Sequence, residues 1–304
     1  MNQEHIKQLA LIKENQKLLL ETDDIEFKTL IEEEIESLIK KLIPIDPKDN
    51  KNIILEIRPA AGGQEAELFA NELWKMYAKY AENMGWKVAI HDISKTDIGG
   101  IKFISGEIKG EDVYKHLKYE SGVHRVQRVP ATEKGGRIHT STATVAILPQ
   151  VEKIDFEINP NDIIMDKFHS GGCGGQNVNK VETAIRLTYK PTGLVVTCQD
   201  ERSQLKNKLK AMSILRSKLV EEKDEKERKA RGDARRSQIG TGDRSEKIRT
   251  YNFPQDRITD HRIKKSFGQI ELVLVGNLDK IIQTLQKEDY NLKKEEIIGQ
   301  TKSI

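Results

Sequence analysis

Ile6, Leu9, Ile12 and Leu19 recur at helical spacing, Thr22, Asp23 and Asp24 interrupt them, and Ile31, Ile35, Leu38 and Leu42 resume the period. Two helices are therefore predicted between residues 3 and 43. The Pro-rich segment 44–50 ends them and reads as a linker. Ile53 to Arg58 is an apolar run of strand length, and Gly62, Gly63, Gln64 and Glu65 lead from it into a helix with a stripe of Phe69, Leu73, Met76 and Tyr80. Residues 103–106 and 113–119 predict further strand or short helix, and 142–148 and 153–158 predict strands on either side of Pro149. Ile185, Leu187 and Tyr189, the turn 190–193 and the run 194–198 predict a β-hairpin. A charged helix follows over 203–231, then a Gly-rich basic loop over 232–250, and Leu278, Ile281, Ile282 and Leu285 predict a last helix.

Length and charge refine this picture. At 304 residues and 37% hydrophobic content the chain holds more than one core. Its net charge of +3 hides an asymmetry: residues 1–48 carry eleven Asp/Glu against seven Lys/Arg, residues 201–250 nine against sixteen. Lys206, Lys208, Lys210, Arg228, Lys229, Arg231, Arg235 and Arg236 suit a phosphate backbone, and a mixed Glu/Lys helix in solvent is the bland alternative. Residues 215–230 leave the two readings balanced, and Arg231 to Arg249, where acids thin out, favour the phosphate reading. No stretch has the apolar length of a membrane span. The amino terminus, with Glu4, Lys7, Lys13 and Glu14, lacks the apolar block of a secretory signal, and its acids argue against a transit peptide. A cytoplasmic protein is expected. Cys173 and Cys198 are the only cysteines, expected as reduced thiols, and no metal-ligand spacing or cofactor motif accompanies them.

Candidate chemistry concentrates in two places. Residues 169–180 put Gly171, Gly172, Gly174 and Gly175 just before Gln176, whose amide both donates and accepts. Such a loop serves as a turn, a phosphate cradle or a catalytic tip; the Gly-Lys-Ser/Thr ending of a P-loop does not follow. Cys173 with His169 is an alternative nucleophile pair, without an identifiable orienting Asn or Asp. Residues 62–64 spell Gly-Gly-Gln too, so the tripeptide alone identifies nothing; there it sits between strand and helix, whose N-terminus offers N–H groups to a polar partner. The second place is residues 122–141, where Arg125, Arg128 and Arg137 lie beside Gln127, Thr132, His139 and Thr140 around a Pro/Gly loop. Single-stranded RNA is read with such side chains, and an ordinary polar hairpin is the other reading.

The loop at Gly174, Gly175 and Gln176, continued through Asn179, Ala184, Ile185, Arg186 and residues 198–204, resembles the Gly-Gly-Gln loop of class I peptide chain release factors. Pro130, Ala131 and Thr132, followed at fixed distance by Ile138, His139 and Thr140, resemble the codon-reading loop of the bacterial-type branch that reads UAA and UAG; the branch that reads UGA carries Ser-Pro-Phe instead. The resemblance extends from about Ile53 to the C-terminus, through residues 251–255 and 257–262.

The resemblance implies an α+β multidomain chain: a helical N-terminal domain over 1–48, shorter than the family's by several dozen residues; a codon-recognition domain over 49–155; an inserted hydrolysis domain over 156–250; and a C-terminal segment over 251–304 packing with the reading domain. It implies that Thr132 bonds the first two codon bases, that His139 stacks beneath the second, that Gln127 and Thr140 read the third with Ile138 alongside, and that Gly62 and Glu65 contact the first uridine. Gly174, Gly175 and Gln176 would act in the peptidyl transferase centre, with no protein general base, so that peptidyl-tRNA ester hydrolysis is promoted only within the ribosome. Gln176 is a candidate for N5-methylation. The partners implied are ribosomal RNA, the stop codon, P-site peptidyl-tRNA, a glutamine methyltransferase and a recycling GTPase whose contacts the short N-terminus puts in question. Gly171, Cys173 and Asn177 depart from the family's usual serine, alanine and histidine. A codon-independent rescue hydrolase and a non-catalytic ribosome-binding module are the alternatives. Opening of residues 160–250 about hinges at 153–160 and 232–249 is expected, since one compact body cannot easily reach both codon and ester.

Overall fold

The computed structural model describes residues 3–130, 133, 135–150, 159–170 and 181–301. The strand expected at 153–158, and Ala131, Thr132, Cys173, Gly174, Gly175 and Gln176, lie outside the described residues. Helices α1 (Gln3–Glu21) and α2 (Ile25–Leu42) pair through Leu9, Ile12, Ile31, Ile35 and Ile39, as their spacing predicts. Asp24 caps α2 by accepting from the Glu26 N–H at 2.9 Å. There follow β1 (Ile53–Pro59), α3 (Gln64–Asn83), β2 (Lys87–Lys95), β3 (Ile101–Lys109), α4 (Val113–Leu117), β4 (Gly122–Arg128) and β5 (His139–Pro149). Next come β6 (Ile163–Phe168), β7 (Ala184–Tyr189), β8 (Leu194–Cys198) and α5 (Gln204–Ile239). The chain ends with β9 (Lys247–Asn252), β10 (Arg257–Asp260), β11 (Lys265–Gly268), α6 (Ile270–Leu274) and α7 (Asp279–Thr301). The architecture is the expected α+β.

The chain forms two compact units, residues 1–150 with 235–304, and residues 151–234. The first is built on an eight-stranded sheet in the order β11-β10-β9-β4-β5-β1-β3-β2, with β4 and β9 parallel. In β1, Ile53, Leu55 and Ile57 alternate into a core shared with Phe69, Leu73, Met76, Tyr77 and Tyr80 of α3. β2 escaped the sequence pattern because it is an edge strand, almost wholly exposed, with no apolar face to give it a period.

In the second unit β6, β7 and β8 form a three-stranded antiparallel sheet. Ala211, Leu215 and Leu219 of α5 pack on Ile185, Leu187 and Val196 of that sheet. Two expectations need correction. Residues 232–250 are not a loop: α5 continues through Gly232 to Ile239, where Gly240 ends it at φ +53°, and β9 begins at Lys247. One glycine costs about 1 kcal/mol, tolerable in a 36-residue helix among arginines and alanines. The second unit ends at Ala234, inside this helix, so the first part of the stretch expected to hinge at that end is helical. Arg249, counted among the phosphate-facing cations, is wholly buried and binds Glu120 and Asp260.

Candidate nucleic-acid interface

β4 and β5 are antiparallel neighbours in the middle of the sheet, and the register sets Gln127 opposite Thr140 and Arg128 opposite His139. Val129, which follows β4, and Ile138, which precedes β5, are both exposed at one end of the sheet. Parallel pairing of β4 with β9 sets Asn252 beside Gln127, its amide donating to Gln127 Oε1 at 3.5 Å. Gln127 and Thr140 therefore lie side by side, and His139, half-exposed, follows Ile138 at the base of the loop. Glu133 holds the His139 ring, Oε2 to Nε2 at 2.8 Å, and accepts the Gly135 N–H at 2.8 Å.

The corner between β1 and α3 meets the same end. Ala60 N–H donates to the Thr142 carbonyl at 2.8 Å, Thr142 N–H to the Ala61 carbonyl at 2.7 Å, and Ala61 N–H to Thr142 Oγ1 at 2.9 Å. Gly62 follows at φ +134°, so close to Ser141 that a Cβ would lie 2.2 Å from its hydroxyl oxygen. Only glycine fits there. Glu65, in the first turn of α3, is 5% exposed, and its carboxylate accepts from Arg128 Nε at 2.6 Å. What this corner leaves for a ligand is its backbone, since the first turn of a helix has N–H groups without an intrahelical acceptor. Gly62, Glu65, Gln127, Pro130, Ile138, His139 and Thr140, from three separated stretches of chain, thus gather at one end of the sheet. Sequence reasoning missed Ser141, Glu72, Asn252 and the structural part of Arg128; a buried partner is not visible in a one-dimensional pattern.

In the second unit β6 and β7 pair up to Phe168 and Ala184, so residues 169–183 join two neighbouring antiparallel strands. His169 and Glu182 face each other at 3.9 Å at the ends of that connection. Arg186 lies over the Phe168 ring at 5.3 Å. Asn207, fully buried, bonds the Glu201 N–H at 2.9 Å, the Glu201 carbonyl at 2.8 Å and the Thr183 carbonyl at 2.9 Å. One side chain thereby ties the 199–203 turn to the root of the Gly-rich connection. Cys198 is a buried free thiol beside it, Sγ 3.5 Å from Asn207 Oδ1. Of the basic residues, Lys210 pairs with Asp200 at 2.7 Å and Arg235 with Glu56 at 3.1 Å, so these two are partly neutralised. Among the described residues no His, Cys, Asp and Glu group is arranged to hold a metal ion, and no helix is long and apolar enough to cross a membrane.

Two domain families match this chain, the PCRF domain over residues 1–145 and the RF-1 domain over residues 152–262. Peptide chain release factor 1 of Carboxydothermus hydrogenoformans is 50% identical, over 97% of this chain and 86% of that protein. The protein of the same name from Thermoanaerobacter pseudethanolicus is 59% identical over 82% of this chain and 70% of its own. Among solved structures, RF2 of Thermus thermophilus is similar at a TM-score of 0.51 and 32% identity, covering 93% of this chain and 83% of that one.

Proposed function

The chain belongs to the peptide chain release factor 1 family, and from that premise we propose that it terminates translation by reading UAA and UAG on the ribosome and triggering release of the peptide. The observation that carries the reading half is the Gln127–Thr140 cross-strand pair, with His139 beside it and the Gly62 corner packed against Ser141. Gln127 and Thr140 accept either purine at the third position, because an amide offers both a donor and an acceptor. His139 stacks beneath the second base; Thr132, which follows Pro130 and Ala131 in the sequence, bonds the first two. The Gly62–Glu65 backbone meets the first uridine, and Ile138 flanks the third base. Discrimination comes from the groups a wrong base leaves buried and unpaired, on the order of 1 to 3 kcal/mol each.

For the hydrolytic half, water is a poor nucleophile, and the ester carbonyl must be approached while negative charge develops on its oxygen. The Gln176 N–H stabilises that charge, the Gln176 side chain admits water and excludes larger nucleophiles, and Gly174 and Gly175 allow the backbone geometry. All of this happens within the ribosome, in the cytoplasm, on P-site peptidyl-tRNA. Methylation of Gln176 by a glutamine methyltransferase and contact with a recycling GTPase complete the proposed partners. A rescue hydrolase without codon reading is not favoured, because the match to the family runs through the whole reading hairpin as well as the Gly-rich connection.

The test is release of labelled peptide from ribosomes programmed with UAA, UAG, UGA or a sense codon. Release at UAA and UAG, with very little elsewhere, is expected. Equal rates at UGA, or without a stop codon, contradict it.

A further inference from the structure

We propose that Arg128 is a positioning residue for codon reading: it fixes the start of α3, with the Gly62–Glu65 corner, at a set distance from the hairpin that carries Gln127, His139 and Thr140. The inference rests on the codon-reading assignment of that end of the sheet. Successive residues of a strand point to opposite faces, so Arg128 leaves β4 on the face opposite Gln127, the face on which Val126 joins the core beneath α3. It is turned away from a base held by Gln127. Its guanidinium instead donates to Glu65 through Nε at 2.6 Å and to both oxygens of Glu72 at 2.8 and 2.9 Å. The cation also lies 5.1 Å from the centre of the Phe253 ring, and Phe253 follows Asn252, the neighbour of Gln127 on β9.

One planar side chain therefore touches the first and third turns of α3 and the residue that follows β9, while its backbone sits opposite His139. The fork geometry is specific to arginine: lysine brings one point charge and cannot pair with Glu72 through two parallel bonds while also holding Glu65. The corner keeps its own backbone bonds from Ala60 and Ala61 to Thr142, so losing Arg128 leaves the sheet intact. It does leave Glu65, nearly buried, without its cation. That carboxylate then moves toward water and carries the first turn of α3 with it. A displaced corner changes how well the first base fits without altering the loop that performs hydrolysis.

The experiment compares wild type, Arg128→Gln, Arg128→Lys and Glu72→Gln in single-turnover release at UAA, UAG and UGA over a range of factor concentrations. Thermal unfolding is measured alongside, and Leu285→Ala, a core truncation in α7, serves as a destabilised control. For Arg128→Gln the half-saturating concentration at UAA rises about tenfold or more, with the saturated rate within about twofold of wild type. Arg128→Lys and Glu72→Gln fall between, and Leu285→Ala leaves half-saturation unchanged at a comparable melting loss. A shift below twofold in Arg128→Gln, a shift no larger than in Leu285→Ala, or a loss confined to the saturated rate overturns the proposal. If wild type itself shows no preference for UAA and UAG over UGA, the codon-reading assignment fails rather than the role of Arg128 alone.

Discussion

Two arginines in the first unit each sit between two carboxylates, and their surroundings separate their roles. Arg249 on β9 is wholly buried, with bonds to Glu120 at 2.6 and 2.7 Å and to Asp260 at 3.3 Å. Arg128 on β4 ends at the rim, with 18% of its side chain exposed, where Glu65 and Glu72 meet it from α3. The buried group closes on itself: Tyr77 donates to Glu120 at 2.8 Å, and His124 sits 3.0 Å from the Glu120 carbonyl and 3.4 Å from the Tyr251 hydroxyl. Burial alone would raise the Glu120 carboxyl, but Arg249 outweighs it and holds it below its ordinary value. Burial, reinforced by Arg249, pushes His124 down to about 4, so the ring is neutral, with Nε2–H donating to the Glu120 carbonyl. The first arginine has no route to a ligand and joins β9 to β10 and to the Glu120 turn. The second stands where the sheet meets its surroundings and sets the spacing of a site.

The largest effect is expected at the buried end. Glu120→Gln leaves Arg249 short of its main counter-charge, and a loss of roughly 3 to 5 kcal/mol in chemical unfolding is expected. Codon preference of the protein that remains folded stays unchanged. A loss below about 1 kcal/mol would show that Asp260 alone suffices.

Acid gives the next largest effect. His124 titrates near 6.5 when unfolded and near 4 when folded, so the unfolded chain binds the extra proton between these values. Stability is full above pH 6.5 and falls as pH drops toward 4, by on the order of 3 kcal/mol from this group. Glu120 and Asp260, both held below their ordinary values, add a further loss at the acid end of that range and beyond. Unfolding measured from pH 7 to 4 should show the decline; His116 and His261, which burial also holds below the ordinary histidine value, contribute to it, and His124→Gln should lack the largest share above pH 5.

Smaller still is Gly62→Ala, where φ +134° and the approach to Ser141 together cost roughly 1 to 3 kcal/mol. That change also raises the half-saturating concentration at UAA, since the corner shifts against the hairpin; unaltered codon affinity would detach the corner from reading. At the exposed extreme, Lys79 and Glu82 pair at 3.0 Å on the solvent face of α3. Lys79→Ala is expected to change stability by no more than about 0.5 kcal/mol and release not at all.

Local rules were enough for much of the fold. Helical spacing gave α1, α2, α3 and α7, and the Pro-Thr-Gly turn gave the β7–β8 hairpin. They failed where tertiary context decides. An exposed edge strand such as β2 has no apolar period, and a lone glycine does not break a helix of strong formers, as Gly232 shows. Of the site, residue types and the family's motifs marked Gln127, His139, Thr140 and Gly62. No local pattern showed that the Glu65 carboxylate is bound by Arg128 or that Arg249 faces inward, because both depend on partners more than sixty residues away.

Under the proposed function, reading belongs to the hairpin end of the first unit and hydrolysis to the Gly-rich connection of the second. The most direct test is Gly175→Val, measured for equilibrium binding to UAA- and UGA-programmed ribosomes and for release at saturation. A β-branched residue blocks backbone geometries open to glycine, so release is expected to fall at least a hundredfold while affinity for UAA, and its ratio to UGA, stay within about twofold of wild type. Loss of affinity or of codon preference, with release per bound factor preserved, would contradict the division.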